Sequence, residues 1–543
     1  MALTFAFPHV LGICTVAGLS ICKTTSYKLL DVLPWIFLTV IPLYAALYVS
    51  FLYPFYISEL RHVPTVPGYP LWGQFFTIIT EECGVPQRRW FQEHGPIIRY
   101  FFPFGAERIA IADDKAIHQM TVRNPYNYPK PVRAKLWMVR ILGEGVLLAE
   151  GPEHVHQRKA LASGFSIGSI RALSPVFWQK GILLSKLWKD EILASETVTK
   201  PIEVLEWLNR TTLDIIGQAG FGTDINSLEN PETPIRQAYR LVFAFDIGSR
   251  ILHGMQAFIS STKYIPAKMN RDMEAARNII LDKATDIIKE KEGQAEADTK
   301  DNDIIALIAK DNLKKKEAGE EGLSLETMRD QVMTFLGAGH DTTATGVAWT
   351  LHLLAKHPKV QDRLRDEIRE YMPWLFNEKT RYDPVKLAEV DADQLPYLEN
   401  VCRESLRYIP PIPMTVRQSL ENDTLGPYFI PGGTVVYILA NSINRLPLYW
   451  GPTADEFDPD RWDNLPDSYT KNAFMTFLQG PRGCIGRKFA ETEMKVLLCC
   501  LLSMFTFEPN KNVEDPEELK MWRLVLRPRD GVSLNTTLLK MGD

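Results

Sequence analysis

The stretch Phe477-Leu-Gln-Gly-Pro-Arg-Gly-Cys-Ile-Gly486 holds one cysteine among three glycines and precedes an apolar run from Phe489 to Phe507. The spacing of that run is typical of a buried helix, so Cys484 should lie at the positive N-terminal end of the helix. This position predicts a lowered pKa for the Cys484 thiol and favours the thiolate. The glycines leave room for a flat, bulky group and leave amide groups free near the sulfur. Arg482 can meet an anionic edge of such a group.

A single thiolate in a glycine-rich loop suits the fifth ligand of a haem iron. Zinc would need about four ligands at short spacing, and Cys499 and Cys500 fall inside the apolar run without a C-x-x-C pair. The alternative is a buried free cysteine in a glycine-rich turn. The pattern F-x-x-G-x-R-x-C-x-G resembles the haem-binding loop of the cytochromes P-450. The resemblance implies haem b, with Cys484 as axial iron ligand and four further cofactor-binding residues, Phe477, Gly480, Arg482 and Gly486.

Length and composition are those of a globular protein with an ample core. The chain has 543 residues, of which 45% are hydrophobic and 23% charged. A net charge of -5 argues against nucleic acid as a general partner. Seven cysteines show no disulfide framework, which suits a reducing compartment. The family resemblance, which covers about 64–533, implies one mainly α fold with a small β part.

The N-terminal residues 1–60 are expected to form a membrane anchor. Residues 32–58 carry no charged side chain and exceed the roughly 20 residues that cross a bilayer, so they predict a transmembrane span. Residues 3–22 are either a second span or an interfacial segment. Prolines in 61–70 predict a stiff hinge that leads into a haem-thiolate catalytic domain over 71–543.

Three basic side chains are predicted to bind the haem propionates. His154 and Arg158 are four residues apart, so a helix would place both on one face. The family resemblance assigns propionates to this pair and to Arg417. Without the resemblance, His154 and Arg158 would be read as a solvated helix face.

Residues 323–354 have helical periodicity and predict one long buried helix. Its middle contains Gly337 and Gly339, each of which costs about 1 kcal/mol relative to alanine. A widened groove beside the iron would account for that cost. The segment A-G-x-D-T-T resembles the family's oxygen-activating motif, which implies that Ala338 and Gly339 lie over the haem. The same motif implies a proton path through two catalytic residues, Asp341 and Thr342. A polar patch on a kinked core helix is the alternative.

Glu404 and Arg407 form an E-x-x-R pair, which alone is a weak signal. Arg461 follows in a Phe-Asp-Pro-Asp-Arg-Trp segment. In this order the residues resemble the structural brace of Glu404, Arg407 and Arg461 that secures the cysteine loop in cytochromes P-450. An ordinary surface salt bridge is the alternative.

Together these features predict a haem-thiolate monooxygenase that inserts one oxygen atom from O2 into a lipophilic small molecule of secondary metabolism. The chain has no flavin or NADPH fingerprint, so a separate NADPH-dependent reductase is the expected partner, with cytochrome b5 as a further electron donor. The expected location is the endoplasmic reticulum membrane, with the catalytic domain in the cytosol. Rival interpretations are a fatty-acid-type hydroxylase, a haem-thiolate isomerase or dehydratase, and a non-catalytic haem sensor.

Overall fold

The computed structural model describes residues 29–243, 267–296, 303–383, 391–518, 520–522 and 524–540, with single positions elsewhere at 12, 15–16, 20–21, 23, 262, 264–265 and 386. Helices dominate these residues. In chain order they are α1 Leu29–Leu47, α2 Phe75–Thr80, α3 Val85–His94, α4 Asp114–His118, α5 Val132–Leu142, α6 Gly151–Leu161, α7 Ile167–Leu193, α8 Val204–Ile215, α9 Pro234–Phe243, α10 Lys268–Glu296, α11 Ile304–Glu317, α12 Leu325–Gly339, α13 Asp341–Lys356, α14 Pro358–Tyr371, α15 Pro396–Tyr408, α16 Ala440–Ile443, α17 Pro447–Trp450 and α18 Arg487–Leu502.

The strands are short and form small sheets. In chain order they are β1 Ile97–Phe102, β2 Ala106–Ile111, β3 Thr199–Glu203, β4 Thr415–Gln418, β5 Asp423–Leu425, β6 Tyr428–Ile430, β7 Val435–Ile438, β8 Phe505–Pro509, β9 Lys520–Trp522, β10 Leu526–Pro528 and β11 Ser533–Leu538. A four-stranded sheet has the order β1-β2-β7-β4, in which only β2 and β7 run parallel. A three-stranded sheet has the order β3-β11-β8, and β5-β6 and β9-β10 are antiparallel pairs. The predicted mainly α fold with a small β part is confirmed.

Helices α13 and α18 form the centre of the core. Nearly every residue of α13 is buried, and α18 is buried from Thr492 to Leu502. The two helices pack against each other, with α8 and α15 also on α13 and α7 also on α18. Because α18 follows the cysteine loop directly, this packing fixes the loop relative to the helix that carries Asp341 and Thr342.

The helix predicted over 323–354 is interrupted at His340, which separates α12 from α13. Three side chains hydrogen-bond to backbone carbonyls around this point. The Thr342 hydroxyl donates to the Ala338 carbonyl (2.9 Å), His340 Nδ1 to the Leu336 carbonyl (2.6 Å) and the Thr212 hydroxyl to the His340 carbonyl (3.0 Å). Side chains that compete for helix carbonyls open the helix locally. The prediction of one continuous helix is therefore wrong.

The N-terminal segment differs from the predicted span over 32–58. Its α-helix α1 ends at Leu47, and the chain continues as a π-helical stretch, Tyr48–Ile57. That stretch packs on the rest of the protein, because Arg99 Nη1 donates to the Pro54 carbonyl at 3.1 Å and the Leu71 amide donates to Ser50 Oγ at 3.1 Å. Among the described residues, no helix has both the length and the hydropathy needed to cross a bilayer. Most of the possible second span over 3–22 lies outside them.

The proline-rich segment predicted as a hinge lies along the edge of β1. The Arg99 amide donates to the Pro64 carbonyl at 2.7 Å, and the Val66 amide donates to the Arg99 carbonyl at 2.8 Å. Thr65 thereby forms a parallel bridge with Arg99. At least this part of 61–70 is thus held against the sheet.

Candidate active site

The cysteine loop is a compact turn that ends at the first residue of α18. The Cys484 amide donates to the Phe477 carbonyl at 2.8 Å, and the Gly483 amide donates to the Gly480 carbonyl at 2.9 Å. Gly486 is the N-cap residue of α18. Of the cysteines that the structure describes, Cys484 alone is exposed, while Cys402, Cys499 and Cys500 are buried. The loop therefore presents one accessible sulfur.

Gly480 is the glycine of this loop whose backbone excludes a side chain. Its φ is +71°, and a Cβ there would lie 2.0 Å from the Thr121 carbonyl oxygen. Gly483 and Gly486 have negative φ values, −61° and −85°. The loop is thus pressed against the turn after α4 at Gly480, which a substitution there would push apart.

The pKa of the Cys484 thiol was predicted to be lowered, but the protein alone shifts it in the opposite direction. Desolvation by the surrounding chain raises the pKa of the Cys484 thiol, while the Gly486 amide and the Arg158 guanidinium lower it. The helix terminus is therefore not enough to produce a thiolate. A metal ion bound to the sulfur would remove the proton, because coordinating thiols are deprotonated.

A cluster of basic side chains lies near the loop with too little negative charge to balance it. Burial and Arg482 lower the pKa of Arg417 to about 10, and burial and Arg417 hold the pKa of Lys130 well below its usual range. The one carboxylate these cations share among the described residues is Glu150, which pairs with Arg482 and accepts a hydrogen bond from the Lys130 amide at 3.0 Å.

A surplus of buried positive charge is costly unless an anion joins it. Arg482 Nε is also buried without a hydrogen-bond partner. The exposed cysteine and this cationic cluster together fit a haem, for which Cys484 would be the iron ligand and the cations would hold the propionates. Arg417 and Arg482, which the resemblance assigns to the haem, both belong to this cluster, and so does Lys130.

His154 and Arg158 lie on α6 but do not form the predicted pair of cations. His154 is buried, its Nδ1 shares a hydrogen bond of 3.0 Å with the Tyr126 hydroxyl, and burial with Arg482 lowers its pKa to about 4. His154 is therefore neutral near pH 7, so it could bind a propionate only through a hydrogen bond and not as a cation. Arg158 Nη1 donates to the Gly483 carbonyl at 2.6 Å, so it also secures the cysteine loop.

The break between α12 and α13 exposes one narrow strip of residues. Ala338, Gly339 and Thr342 are half-buried, whereas His340 and Asp341 are buried. Ala338 and Thr342 are four residues apart and so share one helix face. This strip is the part of the predicted oxygen-activating motif that is only half-buried.

The glycines of the motif have a packing role that the sequence did not reveal. A Cβ on Gly337 would lie 2.3 Å from Leu142 Cδ2, and a Cβ on Gly339 would lie 3.1 Å from Ile216 Cγ1. Close helix packing against neighbouring side chains therefore accounts for at least part of the cost of these glycines, for which a groove beside the iron was the expected reason.

Two acids near the motif have environments that differ. The carboxylate of Asp341 forms an ion pair with the guanidinium of Arg527 on β10. Glu493 of α18 is fully buried, and burial raises the pKa of its carboxyl well above the usual range, while the Thr343 hydroxyl lowers it. Thr343 therefore faces α18, on a different side of α13 from Thr342.

The structure brings Glu404, Arg407 and Arg461 together in the core. Arg407 Nε and Nη2 each donate to the Glu404 carboxylate at 2.8 Å, and Arg461 Nε donates to it at 3.3 Å. Glu404 and Arg407 are completely buried, so the surface-pair alternative is wrong. Arg407 Nη1 also donates to the carbonyl of Asn444 at 2.9 Å, and the side-chain oxygen of Asn444 accepts from the Met475 amide at 2.8 Å. The brace thereby reaches the segment just ahead of the cysteine loop.

Sequence reasoning missed Lys130, Tyr126, Asn444 and Arg527. Lys130 and Tyr126 belong to a Tyr-Asn-Tyr-Pro-Lys-Pro segment with no family pattern, and Arg527 is one of three arginines near the C-terminus. None of these residues carries a local signal, because their partners are distant in sequence.

Residues 63–535 match the sequence family described as cytochrome P450. The protein named cytochrome P450 monooxygenase sphH of Aspergillus fumigatus is 34% identical, over 92% of this chain and 92% of the relative. Those named FUM15 of Gibberella moniliformis and ALT8 of Alternaria alternata are 32% and 30% identical, over 84% and 90% of this chain and 85% and 91% of the relatives. The chain that carries this accessible cysteine loop and buried brace therefore belongs to the cytochrome P450 family, as an oxidoreductase of the monooxygenase type.

Proposed function

We propose that this protein hydroxylates or otherwise oxidises a lipophilic small molecule of fungal secondary metabolism, with O2 and with electrons that a separate reductase takes from NADPH. The observation that carries the proposal is the exposed Cys484 near a cluster of cations that share one carboxylate. An iron porphyrin with two carboxylates satisfies both features at once. When bound, the haem supplies the binding, reduction and cleavage of dioxygen.

The chain itself would supply ligation, orientation and protons. Cys484 binds the iron, and Arg417, Arg482 and Lys130 hold the propionates. Thr342 lies on the half-buried strip of the motif and can pass a proton at its hydroxyl oxygen, which now donates to the Ala338 carbonyl. Asp341, the next residue back, is the carboxylate that can relay a further proton to it.

The ligation is tested by the ferrous carbon-monoxide spectrum of the wild type, of Cys484→Ala and of Cys83→Ala. Cys83 is a half-buried cysteine elsewhere in the chain and serves as the matched control. We expect the red-shifted thiolate band in the wild type and in Cys83→Ala, and its loss in Cys484→Ala. A Cys484→Ala protein that keeps the band would show that another residue binds the iron.

The reaction class is tested with a reconstituted reductase, NADPH and labelled dioxygen. A monooxygenase incorporates one labelled oxygen atom into the product for each NADPH used. An isomerase or dehydratase would convert a peroxide without NADPH, and a haem sensor would bind ligands without turnover. Comparing extracts of cells with and without this chain by mass spectrometry would identify the substrate and decide whether it is a fatty acid.

We also propose that the protein lies on the endoplasmic reticulum membrane with its catalytic domain in the cytosol. Exposed aromatic side chains support this. The ring centroid of Trp72 lies 5.4 Å from that of Phe76 and 6.4 Å from that of Phe104, and the centroids of Phe51 and Phe55 are 5.5 Å apart. Exposed aromatic side chains next to an apolar segment suit a lipid interface.

Membrane attachment is tested by flotation of the full chain with phospholipid vesicles. We expect Trp72→Ser with Phe104→Ser to weaken binding and deletion of residues 1–60 to remove most of it. A wild-type chain that stays at the bottom of the gradient would contradict the proposal. Glycan on Asn209, Asn422 or Asn535, which begin N-x-T sequons, would contradict the cytosolic orientation.

A further inference from the structure

The acid of the oxygen-activating motif is tied to a distant part of the chain. Asp341 is buried at the first position of α13, and its carboxylate forms an ion pair with the Arg527 guanidinium. Among the described residues, no other cation lies within ion-pair distance of Asp341. The adjacent His340 is uncharged near pH 7, because burial lowers its pKa to about 4. Arg527 is thus the counter-charge of this acid.

The backbone next to Arg527 is held firmly against the core. Leu526 is completely buried, its carbonyl accepts a hydrogen bond from Trp349 Nε1 at 2.9 Å, and its amide donates to the Pro411 carbonyl at 2.7 Å. Trp349 belongs to α13, the helix that Asp341 begins. The C-terminal hairpin β9-β10 is therefore fixed to α13, and its Arg527 pairs with Asp341, the first residue of that helix.

Arg527 also interacts with a second carboxylate. Burial raises the pKa of the Glu203 carboxyl to about 7, and the charge of Arg527 acts in the opposite direction. Glu203 accepts hydrogen bonds from the Val532 amide at 2.7 Å and the Glu206 amide at 2.5 Å, so it secures the turn between β10 and β11 to α8. Arg527 thus pairs with Asp341 of α13 and interacts electrostatically with Glu203 beside the C-terminal sheet.

We propose that Arg527 is a positioning residue for proton delivery, which holds the Asp341 carboxylate ionised and on the β10 side of α13. The inference rests on the proposed monooxygenase function. Thr342 follows Asp341 by one position, about 100° around the helix, and lies on the half-buried strip. An Asp341 carboxylate without its counter-charge would take up a proton or turn to other donors. In both events its supply of protons to Thr342 changes.

The pairing is tested by a double-mutant cycle on the haem-loaded full chain, with Asp341→Asn, Arg527→Gln and both together. We expect Arg527→Gln alone to raise the unfolding equilibrium constant by about 100-fold or more, since it leaves a buried charge unpaired. In the Asp341→Asn background the same change should cost much less. Arg529→Gln is the matched control, because Arg529 is two residues away and pairs only with exposed acids, Asp530 and Glu514.

The positioning role is tested by product formed per NADPH consumed in the same proteins, at equal haem content. We expect Arg527→Gln to lower this ratio by about 10-fold or more, Arg527→Lys to restore most of it, and Arg529→Gln to leave it unchanged. In the Asp341→Asn background Arg527→Gln should have no further effect on the ratio.

An unchanged ratio in Arg527→Gln would overturn the proposal, and so would an equal loss with and without Asp341. If the wild type makes no product from O2 and NADPH, the monooxygenase function itself fails and the positioning role with it. The unfolding cycle would then still report the ion pair, now as a structural contact only, so the two failures are distinguishable.

Discussion

Removal of the Glu404 carboxylate should cost a large part of the stability of the haem-loaded protein. Glu404 accepts hydrogen bonds from Arg407 Nε and Nη2 (2.8 Å each), Arg461 Nε (3.3 Å), Trp462 Nε1 (3.1 Å) and the Asp458 amide (2.9 Å). Breaking a buried ion pair costs about 3–5 kcal/mol, against a typical total of about 5–15 kcal/mol.

The structure favours the lower end of that range for Glu404→Ala. Arg407 keeps three backbone acceptors, the carbonyls of Asn444, Ala454 and Glu456, at 2.7–2.9 Å. Its charge would therefore not be left without partners. Arg461 likewise keeps the Thr453 carbonyl at 2.8 Å. We expect a loss of about 3 kcal/mol and poor haem incorporation, because the brace supports the segment ahead of the cysteine loop.

The assay is haem content per protein together with urea unfolding of the loaded form. Asp366→Ala is the matched control, because Asp366 and Arg369 form the same i,i+3 pair at 3.1 Å on the exposed side of α14. That surface pair should contribute only about 0.2–0.5 kcal/mol. The reasoning would be refuted by a Glu404→Ala protein with wild-type haem content and an unfolding midpoint no lower than that of Asp366→Ala.

Three further predictions concern the site itself. Thr342→Ala should lower product per NADPH by about 100-fold and raise the release of hydrogen peroxide. Thr350→Ala is the control and should do neither, although Thr350 also donates to the carbonyl four residues earlier on α13, at 2.8 Å. Equal product per NADPH in the two variants would contradict the proton relay. Arg417→Gln should speed haem transfer to an apoglobin by about 10- to 100-fold, since a charged hydrogen bond contributes about 1.5–3 kcal/mol. It should not destabilise the haem-free chain, because Arg417 and Arg482 repel each other there. A less stable haem-free chain would contradict the interpretation of Arg417 as an unbalanced cation. Burial lowers the folded-state pKa of His154 from 6.5 to about 4, so its contribution to stability is complete above about pH 6.5 and is lost as the pH falls toward 4. In urea titrations, the unfolding free energy of His154→Phe should depend less on pH over that interval. An unchanged pH dependence would contradict a neutral buried histidine.

The cysteine loop and the brace could be predicted from sequence for different reasons. The loop is local: its contacts, such as the Cys484 amide with the Phe477 carbonyl, join residues within one turn. Glu404 and Arg407 lie on adjacent turns of one helix, so their contact follows from helix geometry. Only Arg461 is distant, and its place follows from the family pattern.

The charge states of the site could not be predicted, because burial decides them. His154 was expected to bind a propionate as a cation, yet it is buried beside Tyr126 and is neutral near pH 7. Lys130 carries no motif, and only the fold places it next to Arg417. Pattern reasoning identifies residue types that suit an anion but does not show how many are desolvated together.

The segment around His340 combines both kinds of information. The glycines, Asp341 and Thr342 are legible as a motif, but the structure shows that Gly337 and Gly339 also admit Leu142 and Ile216, and that Asp341 is paired with Arg527. A Cβ at either glycine would thus have to move a neighbouring side chain even before any ligand is considered. Since a Cβ at Gly337 would push aside the Leu142 side chain at the end of α5, Gly337→Ala should lower stability whether or not haem is bound, whereas the main effect of Thr342→Ala should be on turnover.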